Sequence, residues 1–121
     1  MIDYNKLSDQ EINQAIGKIV SLDGISIIAS DGNAVIHEYA DCGEFKGICL
    51  GWKVFDPCNN PADAWPIIVE NKIWLREMYG IWDSKGFPDE RHPFNQVGWK
   101  DKNPLRAAMI AFLMMQGEKI G

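Results

Sequence analysis

Every residue from Ala107 to Met115 is apolar. At about 1.5 Å per residue such a run is too short to cross a bilayer, yet a helix that is hydrophobic on all sides has no face to give to water. It must be covered from several directions, and at roughly 1.5 kcal/mol or more for each large side chain its burial decides how the chain folds. Asn103-Pro104 opens it: the proline gives up only an amide that has no partner in a first helical turn. A length of 121 residues suits one domain, here taken as residues 1–121. With 46% hydrophobic and 24% charged residues, a core needs no disulfide or metal staple.

Leu7-Ser8-Asp9-Gln10-Glu11 reads as a helix start, because Ser8 can accept from the Glu11 amide while Glu11 reaches back to the Ser8 amide. Ile12, Ala15, Ile16, Ile19 and Val20 follow at helical spacing, with Asp9, Gln10, Asn13, Gln14 and Lys18 on the wet side, so this helix is an amphipathic lid. Gly17 within it costs about 1 kcal/mol relative to alanine and predicts fraying before Ser21. Ile25 to Ala29 and Ala34 to Tyr39 flank Ser30-Asp31-Gly32-Asn33, a hairpin pattern. Beyond Gly47, strict alternation sets Ile48, Leu50, Trp52 and Val54 against Cys49, Gly51, Lys53 and Phe55. Trp52 and Trp65 read as core. Pro57 halts this strand, and Pro61 suits the first position of a helix capped by Asn60; Asp63 is the alternative cap, which would put Pro66 in the first turn.

Ile73 and Leu75 alternate with Lys72, Trp74 and Arg76, giving a strand with an apolar inner face and a basic, aromatic outer one. Gly80 to Lys102 has no sustained period and reads as a long irregular loop at about 80–102, within which Val97 to Lys100 suit a short strand. The expected fold is α+β: a mainly antiparallel sheet of about four or five strands packed with about three helices, the C-terminal one central, buried and covered by the other two. If the chain itself cannot cover that helix, a homodimer must.

Acidic residues number 17 against 12 basic ones, for a net charge of −5, which disfavours a general grip on a phosphate backbone. The 3 cysteines cannot all pair with one another, and the chain lacks a basic start followed by an apolar run, so a cytoplasmic protein with no membrane partner is expected. Cys42, Cys49, Cys58, His37 and His92 are the ligand types zinc takes, but none is paired at the two-to-four-residue spacing that pre-positions a structural site. No metal and no cofactor are expected.

No Gly-x-Ser-x-Gly elbow, phosphate-cradling glycine loop or His-Glu-x-x-His helix is present. His92, in the irregular stretch, is the better candidate base, with loop carboxylates such as the Asp89–Glu90 pair and the Glu38–Asp41 pair as possible general acids or bases. A solvated imidazole and solvent-facing charge are the plainer readings of both. Lys72, Trp74 and Arg76 combine cations with a stacking surface that could hold a nucleotide, a single strand or an acidic peptide, set against an edge strand that uses charge to resist aggregation. The 5 tryptophans are a heavy load for this length. Trp82 and Trp99, in or beside the irregular stretch, either pack back or meet a partner. Arg106 opposes the helix dipole at the start of the last helix and so seeks a specific acceptor, with Asp63 the suggested one; without an acidic neighbour, an external anion would be implied.

Two segments are recognisable, Asn59-Asn60-Pro61-Ala62-Asp63-Ala64-Trp65-Pro66-Ile67-Ile68-Val69-Glu70-Asn71 and Asn103-Pro104-Leu105-Arg106-Ala107-Ala108-Met109-Ile110-Ala111-Phe112-Leu113-Met114-Met115-Gln116, together with the opening Asp3-Tyr4-Asn5-Lys6-Leu7-Ser8-Asp9-Gln10-Glu11-Ile12-Asn13. With these strings the chain resembles the NinX-type proteins of lambdoid bacteriophages. The resemblance implies a phage or prophage protein acting inside an enterobacterial host, from a family of unknown function that brings no catalytic residue, cofactor or partner with it. The leading expectation is a non-enzymatic accessory protein that binds a host or phage protein through the 80–102 stretch and its flanking aromatics. The alternatives are a small-ligand or nucleotide-modifying enzyme built on His92 and the loop carboxylates, and weak nucleic-acid binding through Lys72, Trp74 and Arg76.

Overall fold

A computed structural model of the chain describes residues 2–40, 47–89, 91–92 and 94–120, the last three without their side chains. Cys42, Asp41 and Glu90 lie outside the described residues. Among the described residues the elements are three α-helices, a single 3-10 turn at Tyr4–Lys6 and two three-stranded antiparallel sheets, an α+β fold, divided between two compact units, Ser8–Asp56 and Met1–Leu7 with Pro57–Gly121. The single sheet expected from the sequence is thus two.

In the first unit, α1 (Asp9–Val20) lies on a sheet ordered β1 (Ser26–Ile28), β2 (Ala34–Ala40), β3 (Ile48–Val54). The expected capping box forms: Ser8 Oγ accepts from the Glu11 amide at 3.1 Å and the Glu11 carboxylate accepts from the Ser8 amide at 3.0 Å. Ile12 and Ile16 are buried as their spacing requires. Asn13 is not on the wet side but fully buried, its amide donating to Asp56 Oδ1 at 2.7 Å, so its burial is hydrogen-bonded. Gly17 is there for contact: a Cβ would come within 2.8 Å of the Ser26 Cβ and 3.0 Å of Ile36 Cγ2, so the helix rides close on β1 and β2. The helix continues to Val20 past this glycine.

Alternation in β3 breaks at a bulge. Glu38 pairs with Gly51 and Tyr39 with Cys49, which leaves Leu50 as the extra residue, and Gly51 takes φ +122°, a conformation that favours glycine. Trp52 and Val54 therefore share a face with Cys49, while Ile48 falls on the other. Trp52 is 47% exposed, not core, because β3 is an edge strand and α1 covers the opposite face of its sheet.

In the second unit, α2 (Pro61–Glu70) begins where Asn60 Oδ1 accepts from the Ala62 amide at 3.0 Å; Asn60, not Asp63, is the cap. Pro66 consequently lies inside the helix, where it withholds an amide from the carbonyl of Ala62, an exposed residue whose carbonyl water can reach. Trp65, at 62% exposed, is also not core. The sheet runs β4 (Trp74–Met78), β5 (Ile81–Gly86), β6 (Val97–Asp101), so two strands occupy nearly half of the expected 80–102 loop and narrow its irregular part to 87–96. The final helix, α3 (Pro104–Ile120), packs on β5 and β6 and against α2. Ala107, Ala108, Met109, Ile110 and Ala111 are completely buried and Phe112 nearly so. One chain covers these residues, so their burial requires no second copy. Asn103 Oδ1 caps the helix, accepting from the amides of Leu105 at 2.9 Å and Arg106 at 3.3 Å.

Candidate binding face of the second sheet

Because opposite residues of an antiparallel pair share a face, the register of β4–β5–β6 sorts its side chains. One face turns to α3. Ser84 Oγ accepts from the Trp99 amide at 3.1 Å and donates to the Ala107 carbonyl at 2.7 Å, and a Cβ on Gly86 would strike the Met115 sulfur at 2.4 Å. Small residues at 84 and 86 let the helix approach. The opposite, outer face carries three cross-strand rows: Trp74–Lys85–Gly98, Arg76–Asp83–Lys100 and Met78–Ile81.

This outer face gathers three cations around one carboxylate. The Arg76 guanidinium lies 3.8 Å from Asp83 Oδ2 and the Lys85 ammonium 3.8 Å from Asp83 Oδ1, ion-pair distances beyond the reach of a hydrogen bond. Asp83 itself is buried, and its Oδ1 has no hydrogen-bond partner among the described residues. Arg76 is 59% exposed by side chain, which limits its pair with Asp83 to about 1 kcal/mol or less. It also lies 5.8 Å from the centre of the half-exposed Trp74 ring, within cation–π range. Lys100, exposed, makes no ion pair among the described residues. A planar apolar surface and cations that exceed the internal negative charge thus share one rigid sheet face.

The other residues singled out from sequence scatter. Lys72 is not on β4: it sits in the α2–β4 turn at φ 55°, so only Trp74 and Arg76 of that trio share the face. Trp82 and Trp99 are half-buried on the α3 side, Trp99 in edge-to-face contact with Tyr4 at 5.5 Å between ring centres. Arg106 is engaged within the fold: its guanidinium donates to Asp101 Oδ2 at 3.1 Å and to the carbonyls of Tyr4 at 3.0 Å and Leu7 at 2.9 Å. An acidic neighbour is therefore present, and the condition that would have implied an external anion is not met.

His92 lies exposed in an open hollow with Arg91, Phe94 and Asn95. Its Nε2 is 3.8 Å from Asp89, but that carboxylate takes two hydrogen bonds from the Arg91 guanidinium at 3.1 Å, which hold the Asp89 carboxyl below its ordinary value. Cys49 is exposed and Cys58 buried, the two are not joined in a disulfide, and no cluster of metal-ligating side chains occurs among the described residues.

A constellation in the first unit had no counterpart in the sequence reading. On the face of β1–β2–β3 turned away from α1, Asp23 Oδ2 accepts from His37 Nδ1 at 2.6 Å and from the Tyr39 hydroxyl at 2.8 Å, while Oδ1 accepts from the Ile25 amide at 3.0 Å. The Tyr39 bond first, then the His37 bond, lower the Asp23 carboxyl to about 2, and the same Asp23 bond raises the Tyr39 hydroxyl. An ionised carboxylate only accepts, so the imidazole proton of this pair sits on Nδ1. The His37 ring stacks on Trp52 with centres 3.7 Å apart. The alternation of His37 and Tyr39 on β2 opposite Trp52 was a readable signal; the partner Asp23, in the loop before β1, was not.

Among known proteins, no curated protein and no solved structure matches the chain. The family model described as bacteriophage P22 NinX matches residues 3–116, a span that covers every helix and strand apart from the last turn of α3. The agreement of that span with the Asn-Pro helix starts and the apolar last helix places this chain in the phage NinX family.

Proposed function

We propose that this NinX-family chain is a non-enzymatic accessory protein that acts in the cytoplasm of an infected host cell by binding another protein through the outer face of β4–β6. The observation that supports this reading is the row structure of that face, which holds Trp74 beside Arg76, Lys85 and Lys100 on regular strands. The strands fix the backbone from which these side chains project, so binding orders side chains but no chain segment, and an aromatic anchor with neighbouring charges can give useful affinity from a small area. Phe94, 96% exposed, lies in the β5–β6 connection, which joins the strands at the Trp74 end of the same sheet.

The enzymatic alternative finds less support. A general acid near neutral pH needs a raised carboxyl, whereas Arg91 lowers that of Asp89, and the hollow beside His92 is open to water. No helix of the described residues is long and apolar enough to cross a membrane.

The test is capture from phage-infected cells with the whole chain as bait, compared with a Trp74→Ala, Lys100→Gln double variant, followed by calorimetric titration of the purified captured protein. A partner that is retained by the parent chain, lost by the variant and bound saturably in isolation is the expected result. Identical captured sets from both baits would remove this face from the account.

A further inference from the structure

Building on that reading, we infer that the partner presents an acidic, extended peptide segment to the outer face of β4–β6, with carboxylates on Lys85 and Lys100 and an apolar side chain on Trp74. The chain as a whole carries −5, so a face with three cations around one carboxylate reverses the molecule's own sign. Like charge elsewhere turns an acidic partner away and leaves this face as its place of approach.

The internal pairing is loose enough to be exchanged. Arg76 and Lys85 stand 3.8 Å from Asp83 rather than at hydrogen-bond distance, and Lys100, opposite Asp83 on β6, has no ion pair among the described residues. An incoming carboxylate can thus gain a charge-assisted hydrogen bond without breaking one of comparable strength. Lys85 and Lys100 are diagonal neighbours on adjacent strands, with backbones about 7–8 Å apart. Alternate side chains of an extended peptide stand about 7 Å apart, which matches that diagonal.

Asp83 decides between a peptide and a nucleic acid strand. It sits in the middle of the Arg76–Asp83–Lys100 row, where a strand that carries a phosphate in every unit of its backbone cannot avoid it. A peptide carries its charge on rotatable side chains, alternate ones pointing away from the sheet, so its carboxylates can reach Lys85 and Lys100 and turn away from Asp83. Gly98, which completes the Trp74–Lys85 row, adds no side chain to obstruct the approach; a Cβ at that position would fall 2.0 Å from the Ser84 carbonyl oxygen.

The experiment titrates the full chain into fluorescein-labelled octaglutamate at low salt and follows anisotropy, with a labelled oligothymidylate as the rival probe. Saturable octaglutamate binding is expected, weakened about threefold to tenfold by Lys85→Gln or Lys100→Gln and unchanged by Lys53→Gln on β3 of the first sheet. Absence of saturable binding, equal loss with Lys53→Gln, or tighter binding of oligothymidylate would each overturn the proposal. If octaglutamate fails while a captured protein still depends on Trp74 and Lys100, only the acidic chemistry falls; if both fail, the binding-face reading falls with it.

Discussion

The two sheets share a plan and differ in chemistry. Each has three antiparallel strands, one face under a helix and one face turned away from it. On the first, the polar groups of the open face satisfy one another: Asp23 takes up the His37 and Tyr39 donors, and Trp52 stacks on the imidazole. On the second, Asp83 is outnumbered by Arg76, Lys85 and Lys100, and a cation lies against the half-exposed Trp74 ring. A cluster whose donors and acceptors are matched pins a loop to a strand. A cluster with charge in excess is left with capacity for something else.

The helices on the covered faces differ as well, and the largest predicted effects come from there. Ile110→Ala in α3 removes a completely buried side chain from a helix enclosed by sheet and helix, and should cost about 2–5 kcal/mol in denaturant unfolding. Val54→Ala on the open face of the first sheet, where the side chain is 53% exposed, should cost well under about 1 kcal/mol. Equal costs would mean that the two environments are not as different as described. Gly17→Ala comes next: the gain in helix propensity of about 1 kcal/mol is set against overpacking of about 1–3 kcal/mol on Ser26 and Ile36, so net destabilisation is expected. A more stable variant would show that α1 can lift off its sheet at little cost.

Acid titration separates the two open faces more finely. The Asp23 carboxyl titrates at about 2 in the folded chain against an ordinary 3.8, so its contribution is present above that ordinary value and is lost as pH falls through about 2. Thermal unfolding of Asp23→Asn should therefore lie below that of the parent chain near neutral pH, with the gap closing between pH 3.8 and about 2. A gap that stays constant across that window would remove the Asp23 clamp from the account. The smallest expected effect on stability is that of Lys100→Gln, within about 0.5 kcal/mol, because the exposed ammonium makes no ion pair among the described residues. A large loss on unfolding would show that Lys100 supports the fold rather than a ligand.

Local chemistry was legible in the sequence and long-range pairing was not. The Ser8–Glu11 box, the Asn-Pro starts of α2 and α3 and the burial of Ala107 to Phe112 depend on near neighbours or on sheer apolarity, and they stand as read. The division into two sheets depends on which strand edges meet, which periodicity does not encode. β5 was concealed for a physical reason: its inner positions Ser84 and Gly86 are small to admit α3, and its outer positions Asp83 and Lys85 are charged, so no apolar alternation marks Ile81–Gly86 as a strand. Trp52 and Trp65 read as core because size and apolarity argue for burial, but one lies on an edge strand and the other on the exposed side of α2. At the candidate face, Trp74 and Arg76 were visible as a pair, whereas Asp83, Lys85 and Lys100 join them only through register, and the left-handed turn at Lys72 takes that residue off the strand.

The claim that the second sheet, and not the first, carries the binding face is tested most directly by following backbone amide and indole resonances of the full chain during an octaglutamate titration. The account predicts saturable shifts at the Trp74 indole and at Lys85, Gly98 and Lys100, with His37, Trp52 and Val54 unmoved. Shifts centred on His37 and Trp52, or none at either sheet, would contradict it.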